Sequence, residues 1–245
     1  MKIKDSIYKD KQDSIEPFQF NRDVANAFDN MANRSIPFYK ESQSFSLLLL
    51  EELFQNKAPI LDLGCSTANT IIQIHEFFAT KNIYPEFIGV DQSAPMIERS
   101  REKIKQLKLL KATLVEEDIN QFKFDGEYEV VILNYTLQFI PKEQRKDLLK
   151  KIYKSLIPGG MILMSEKLLL ENEDINSSYT KIYYDLKKRN GYSQLEISQK
   201  REALENVLVP SSYSENLIAL KNAGFEQADC FLRWFNFASF VGLKK

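Results

Sequence analysis

Four sites along the middle of this chain carry polar groups at intervals of roughly one strand and one helix: the turn Asp62-Leu63-Gly64-Cys65-Ser66, then Asp91, Asp118 and Asn134. A glycine in a turn after a strand lets backbone approach a ligand closely. A carboxylate at the end of the next strand, Asp91, can accept both hydroxyls of a ribose. Asp118 can accept from an adenine amino group, with the Ile119 amide bonding a ring nitrogen. Asn134 ends a further apolar run, where sheets of this kind reverse strand order. Each feature alone has an ordinary explanation: a strand-to-helix turn, an acid at a helix N-terminus, a turn aspartate. In succession they describe a nucleoside site.

The dinucleotide fingerprint needs G-x-G-x-x-G, whereas Ser66 and Asn69 stand at the second and third glycine positions. A pyrophosphate pressed onto the backbone is therefore disfavoured. S-adenosylmethionine (SAM) has no pyrophosphate and tolerates the change. His75 is the only histidine, which excludes multi-histidine metal sites and leaves one candidate histidine base. Its place inside a helix reads as structural or surface. Cys65 and Cys230 form no C-x-x-C pattern, so neither zinc, another metal nor a disulfide framework is expected. With no histidine near in sequence, Cys65 reads as a packing residue beside the ligand. The aromatic tail of Phe231, Trp234, Phe235, Phe237 and Phe240 reads as core.

The elements that must position these groups follow from pattern. Residues 1–20 are polar and read as a loose, flexible arm, leaving 21–245 as one SAM-binding domain. Residues 21–55 show helical spacing broken at Pro37. Strands are expected at 59–65, 86–91, 112–115 (ending near Asp118), 128–134 and 161–164, with helices between them, the last ended by Pro158-Gly159-Gly160. Ser93 caps the helix that carries Pro95. This alternation predicts an α/β, Rossmann-like sheet, mostly parallel, with helices on both faces. Residues 171–209 interrupt it as a helical insertion, where Ser193 and Glu196 form a capping box. Ser212 and Glu215 cap a further helix that Gly224 ends. Two closing strands, near 227–235 and 238–243, suggest an antiparallel C-terminal hairpin.

The whole has 245 residues, 44% of them hydrophobic, and 33 basic against 34 acidic residues. That balance gives no basic field for a nucleic-acid backbone, so direct nucleic-acid binding is not expected. No apolar run approaches a membrane span, so the expectation is a soluble, cytoplasmic protein without membrane contact.

The segments Arg34-Ser35-Ile36-Pro37-Phe38-Tyr39, Asp62 to Ser66, Ala94-Pro95-Met96-Ile97-Glu98-Arg99, Asn134-Tyr135-Thr136-Leu137-Gln138-Phe139, Asn190-Gly191-Tyr192-Ser193 and Glu196-Ile197-Ser198-Gln199-Lys200-Arg201 resemble the carboxy-S-adenosyl-L-methionine synthase family. The likeness runs from about Phe18 to Lys244. General SAM methyltransferases share the glycine turn and the strand-end acid but not the 190–201 segment. The resemblance implies conversion of SAM and prephenate into carboxy-SAM and phenylpyruvate, with the product serving a downstream tRNA carboxymethyltransferase that builds 5-oxyacetic acid on the wobble uridine. In the mechanism proposed for the family, prephenate releases carbon dioxide and hydroxide, the hydroxide deprotonates the SAM methyl group, and the sulfonium ylide captures the carbon dioxide. No protein base is needed, and no catalytic residue is assigned.

The resemblance places ligand contacts on Tyr39, Gly64, Cys65, Ser66, Asp91, Gln92, Asp118, Ile119, Asn134 and Arg201, and implies a homodimer. Gln92 departs from an asparagine in a relative, and either amide can hydrogen-bond. Without the resemblance, Arg201 would read as a solvated residue. With it, Arg201 pairs with the added carboxylate, and Lys200, turned away on the same helix, does not share that duty equally. A conventional SAM-dependent methyltransferase and a non-catalytic SAM-binding module are the competing readings.

Overall fold

Side-chain caps set where most of the helices start. In the computed structural model, which describes residues 3–107 and 111–245, Asn21 opens α1 (Arg22–Ser35) by accepting from the Val24 N–H at 3.0 Å. Such a cap satisfies a donor that the first helical turn leaves free. After Pro37, Phe38 takes a left-handed conformation and α2 (Tyr39–Leu53) sets off in a new direction. Then follow β1 (Ile60–Leu63), α3 (Asn69–Ala79), β2 (Phe87–Asp91), α4 (Ala94–Gln106), β3 (Ala112–Glu116) and β4 (Tyr128–Asn134). Ser93 caps α4, and Pro95 lies in its first turn.

The second half consists of α5 (Lys142–Ser155), β5 (Leu156–Lys167), the insertion helices α6 (Glu173–Arg189) and α7 (Gln194–Ala203), then α8 (Tyr213–Ala223), β6 (Gln227–Trp234) and β7 (Phe237–Leu243). Both expected capping boxes are formed, Ser193 with Glu196 and Ser212 with Glu215.

The seven strands lie in the order β3-β2-β1-β4-β5-β7-β6. The first five are parallel, and β7 runs antiparallel to both β5 and β6. Strand order reverses between β1 and β4, so a crevice opens at their carboxyl ends. Two apolar layers cover the sheet. One gathers Leu61, Val131, Leu149 and Phe225, the other Ile60, Ile71, Phe87 and Leu163. The β4 strand is fully buried up to Asn134, which explains why it reads as a continuous apolar run.

Three expectations are modified. Pro158-Gly159-Gly160 does not lie between helix and strand. α5 stops at Ser155, and β5 begins at Leu156 and runs through the triplet, with its register against β4 shifting between Tyr128 and Val130. Proline is tolerated at such an irregularity. Asp118 does not close β3, which ends at Glu116. It lies in the following turn, where its carboxylate accepts from the Asn120 N–H at 2.9 Å. Trp234 is 37% exposed and lies against Phe38 with ring centroids 4.3 Å apart, whereas Phe237 and Phe240 are core.

The N-terminal segment, read from its polarity as a loose arm, has no helix or strand but is tied down. Tyr8 and Phe18 are buried with Val24, Met31 and Ala203, the Phe18 N–H donates to the Ala203 carbonyl at 2.8 Å, and Gln199 on α7 bonds the Tyr8 and Asp10 carbonyls. Residues 1 and 2 of that arm lie outside the described residues. Among the described residues no helix is long and apolar enough to cross a membrane.

Candidate active site

The crevice at the β1–β4 switch is the floor of a cavity of about 850 Å³, the size of a site for a drug-sized ligand. Its walls come from the strand ends, from the junction of α1 and α2, and from the insertion helices. Tyr39, Gly64, Cys65, Ser66, Asp91, Gln92, Asp118, Ile119, Asn134 and Arg201 all line it.

The turn after β1 is built for close approach. Gly64 has φ +75°, and a Cβ there would lie 2.5 Å from Thr136 Oγ1, so glycine is required both for the backbone angle and for space. Ser66 also has positive φ, a strained choice for a serine. In return its N–H donates to Asp91 Oδ2 at 2.9 Å. Asp91 Oδ1 accepts from the Ser93 N–H at 2.9 Å. Burial raises the Asp91 carboxyl above its ordinary range, and these two backbone donors oppose the rise. Behind the turn, Asp29 of α1 accepts from Thr67 at 2.6 Å and Asn69 at 2.8 Å, clamping the turn to the helix.

Two buried acceptors lack a partner among the described residues: Asn134 Oδ1, of a residue that lines the cavity, and Asp62 Oδ2, of a residue that does not. They belong to neighbouring strands. Asp62 is pushed up to about 7 by burial and by the charge of Asp91. An orphaned buried acceptor costs free energy until a donor reaches it, and the ammonium group of an amino-acid moiety is such a donor. A nucleoside carrying an amino-acid tail, as SAM does, therefore fits the residues present. Tyr39 and Tyr135 have hydroxyls pushed far up by burial, so they remain protonated donors.

His75 on α3 does not line the cavity; its ring lies 6.2 Å from that of Tyr84. The Cys65 thiol is buried and driven well above its ordinary value, unfit for a nucleophile. Among the described residues no group of three or more His, Cys, Asp or Glu side chains could hold a metal ion.

Sequence reasoning missed part of the wall. Lys167, Lys187 and Lys200 line the same cavity as Arg201. Lys200 and Arg201 both reach the cavity, by different routes. Lys200 runs inward to Asp5, Nζ to Oδ2 3.7 Å, while Arg201 stays exposed, its charge acting on the Tyr184 hydroxyl. Lys167 ends β5, so the strand-end rule that selected Asp91 and Asn134 would have found it. Lys187 lies on a polar helix with nothing in its sequence to mark it.

Solved structures to which this chain is similar include methyltransferases. One is an O-methyltransferase family protein from Burkholderia thailandensis (TM-score 0.66, 15% identity, 95% of this chain and 65% of that one). Another is magnesium protoporphyrin IX methyltransferase from Synechocystis with bound SAH (TM-score 0.60, 14% identity, 91% of this chain and 97% of that one). At such identities the likeness shows the fold. A family described as a methyltransferase domain matches residues 60–160. The fold is thus the one that methyltransferases share, and the methyltransferase-domain match covers its first four strands.

Similarity over almost the whole chain goes further. It is 43% identical over 243 residues to the carboxy-S-adenosyl-L-methionine synthase of Desulfotalea psychrophila, covering 96% of this chain and 98% of that one. It is also 40% identical over 242 residues to that of Campylobacter jejuni, covering 99% and 100%. The chain belongs to the carboxy-S-adenosyl-L-methionine synthase family, and it is an enzyme.

Proposed function

We propose that the chain converts SAM and prephenate into carboxy-SAM and phenylpyruvate, and that its product supplies a downstream enzyme carboxymethylating the wobble uridine of tRNA. The observation that carries this reading is the meeting, in one cavity, of a nucleoside-type floor with Arg201 from the insertion, beside relatives that bear the synthase name.

In this reading Asp91 holds the ribose hydroxyls, Asp118 and the Ile119 amide hold the adenine, and Gly64 to Ser66 cradle the amino-acid tail. Gln92 and Tyr39 add hydrogen bonds, and Asn134 accepts the ammonium group. Arg201 pairs with the carboxylate of the product, for which its planar fork is suited. SAM supplies the methyl carbon on which the new bond forms, and prephenate supplies the carboxyl group. The protein's residues bind, orient and exclude water, and no side chain is assigned as base. The working form is a cytoplasmic homodimer that does not itself grip tRNA.

Mass spectrometry of the nucleoside formed from SAM and prephenate tests the reading. Carboxy-SAM with an equal amount of phenylpyruvate is expected. A methylated acceptor would establish the conventional methyltransferase instead, and SAM held without any turnover would establish a binding module.

A further inference from the structure

Lysines gather on one side of the cavity. Asp91 ends β2 and Asp118 follows β3, on one side of the switch point. Lys167 ends β5, on the other. Above it α6 brings Tyr183 and Lys187, and α7 brings Lys200. The ammonium groups of Lys167 and Lys187 lie 5.3 and 4.7 Å from the centroid of the same Tyr183 ring. Lys187 is 5% exposed and Lys200 6%. Buried ammonium groups are costly unless paired.

The pairing present is short of that need. Among the described residues no carboxylate forms a salt bridge with Lys167 or Lys187, and the carboxylate facing Lys200 is that of Asp5. Asp5 is already shared, since it accepts from the Tyr192 hydroxyl at 2.5 Å and the Ile7 N–H at 3.4 Å. Arg34 of α1, over the Tyr192 ring at 3.8 Å, adds further positive charge. On the same wall, Glu205 is exposed. This side of the cavity therefore carries more cationic groups than carboxylates to pair them, and a bound anion can balance the excess.

We propose, resting on the function above, that Lys167, Lys187 and Lys200 bind a dianionic second substrate through the carboxylate it retains, leaving Arg201 for the carboxyl group that is transferred. This assignment divides the cavity by charge. The nucleoside lies over the acidic strand ends, and the dicarboxylate lies over the lysines, with the reacting carbon between them.

The titration of the lysines adds a signature. Burial, together with the charge of Lys187 on Lys200, brings Lys187 down to about 8 and Lys200 to about 7, while Asp5 opposes both shifts. Burial and Lys187 likewise lower Lys167, with Tyr183 opposing. In the ligand-free enzyme at pH 8 Lys187 is partly neutral and Lys200 largely so. A dianion favours their charged forms, so its binding takes up protons and weakens as pH rises from 7 to 9.

The test uses full-length enzyme and the variants Lys167→Met, Lys187→Met and Lys200→Met. Methionine keeps an unbranched chain without the buried charge, and circular dichroism verifies folding. Lys187→Arg is the second variant, which keeps the charge and should retain most of the affinity for prephenate. Prephenate KM is measured at saturating SAM, SAM Kd by calorimetry, and prephenate binding by calorimetry in buffers of different ionisation enthalpy with a non-donating SAM analogue present. Each Met variant should raise prephenate KM by about tenfold to a hundredfold, the range for a lost charge-assisted bond, with SAM Kd changed less than threefold. Proton uptake should fall in Lys187→Met and Lys200→Met. Unchanged prephenate KM in folded Met variants overturns the assignment, as does a loss of SAM affinity equal to that for prephenate, which would place the SAM carboxylate on these lysines. If wild-type enzyme makes no carboxy-SAM, the functional reading fails, yet the calorimetric titration still decides whether the lysines bind a dicarboxylate.

Discussion

Replacing Asp91 with alanine removes one carboxylate that serves two purposes. Of about four acceptor directions on an ionised carboxylate, two are taken by the Ser66 and Ser93 N–H groups, each at 2.9 Å. The remaining two match the two hydroxyls of a ribose. Losing a charge-assisted pair costs on the order of 1.5–3 kcal/mol, roughly a tenfold to 150-fold rise in SAM Kd. The loss of the anchor for the Ser66 turn adds to it. Asp91→Asn keeps one acceptor oxygen and should lose less.

A second readout follows from the raised carboxyl of Asp91. Protonation destroys an acceptor, so wild-type SAM affinity should fall as pH is lowered toward a value above the ordinary carboxylate range. Asp91→Asn should flatten that fall. Calorimetry from pH 8 down to pH 5, with folding monitored by circular dichroism, measures both effects. Unchanged SAM affinity in folded Asp91→Ala would refute the ribose assignment, and an identical pH slope in Asp91→Asn would refute the protonation argument.

Gly64→Ala should weaken SAM binding and lower Tm, because the left-handed angle costs about 1–2 kcal/mol and the new methyl meets Thr136 Oγ1; adding Thr136→Ala should recover part of the Tm. Arg201→Ala should lose carboxy-SAM formation and retention far more than SAM affinity, with Arg201→Lys rescuing only partly; formation and retention at wild-type level in Arg201→Ala would exclude it. His75→Gln should keep most activity, since the residue lies off the cavity; a drop beyond about a hundredfold, the scale of general base catalysis, would contradict that.

Much of the nucleoside side was legible in the chain because it depends on local rules. Strand ends, a glycine turn and side-chain caps involve residues near one another, so Gly64, Asp91, Asn134 and both capping boxes could be read directly. The resemblance over 190–201 brought in Arg201, which pattern alone would have left on a solvated face. Local composition also misled: the polar N-terminal segment reads as loose, yet Asp5 is 2% exposed and faces Lys200, 195 positions further on.

The sequence by itself determined the alternation of strands and helices, the side-chain-capped helix starts, and the acidic end of β2, because periodicity and capping act within a few residues. Tertiary structure alone decided which helices roof the crevice and which long side chains enter it. Lys187 and Lys200 are ordinary members of polar helices until α6 and α7 fold over the end of β5, and Asp5 is an ordinary arm residue until Tyr192 and Lys200 enclose it. Burial turns their charges from solvated decoration into a field that can hold a ligand, and burial is a property of packing between distant segments, which no local pattern encodes.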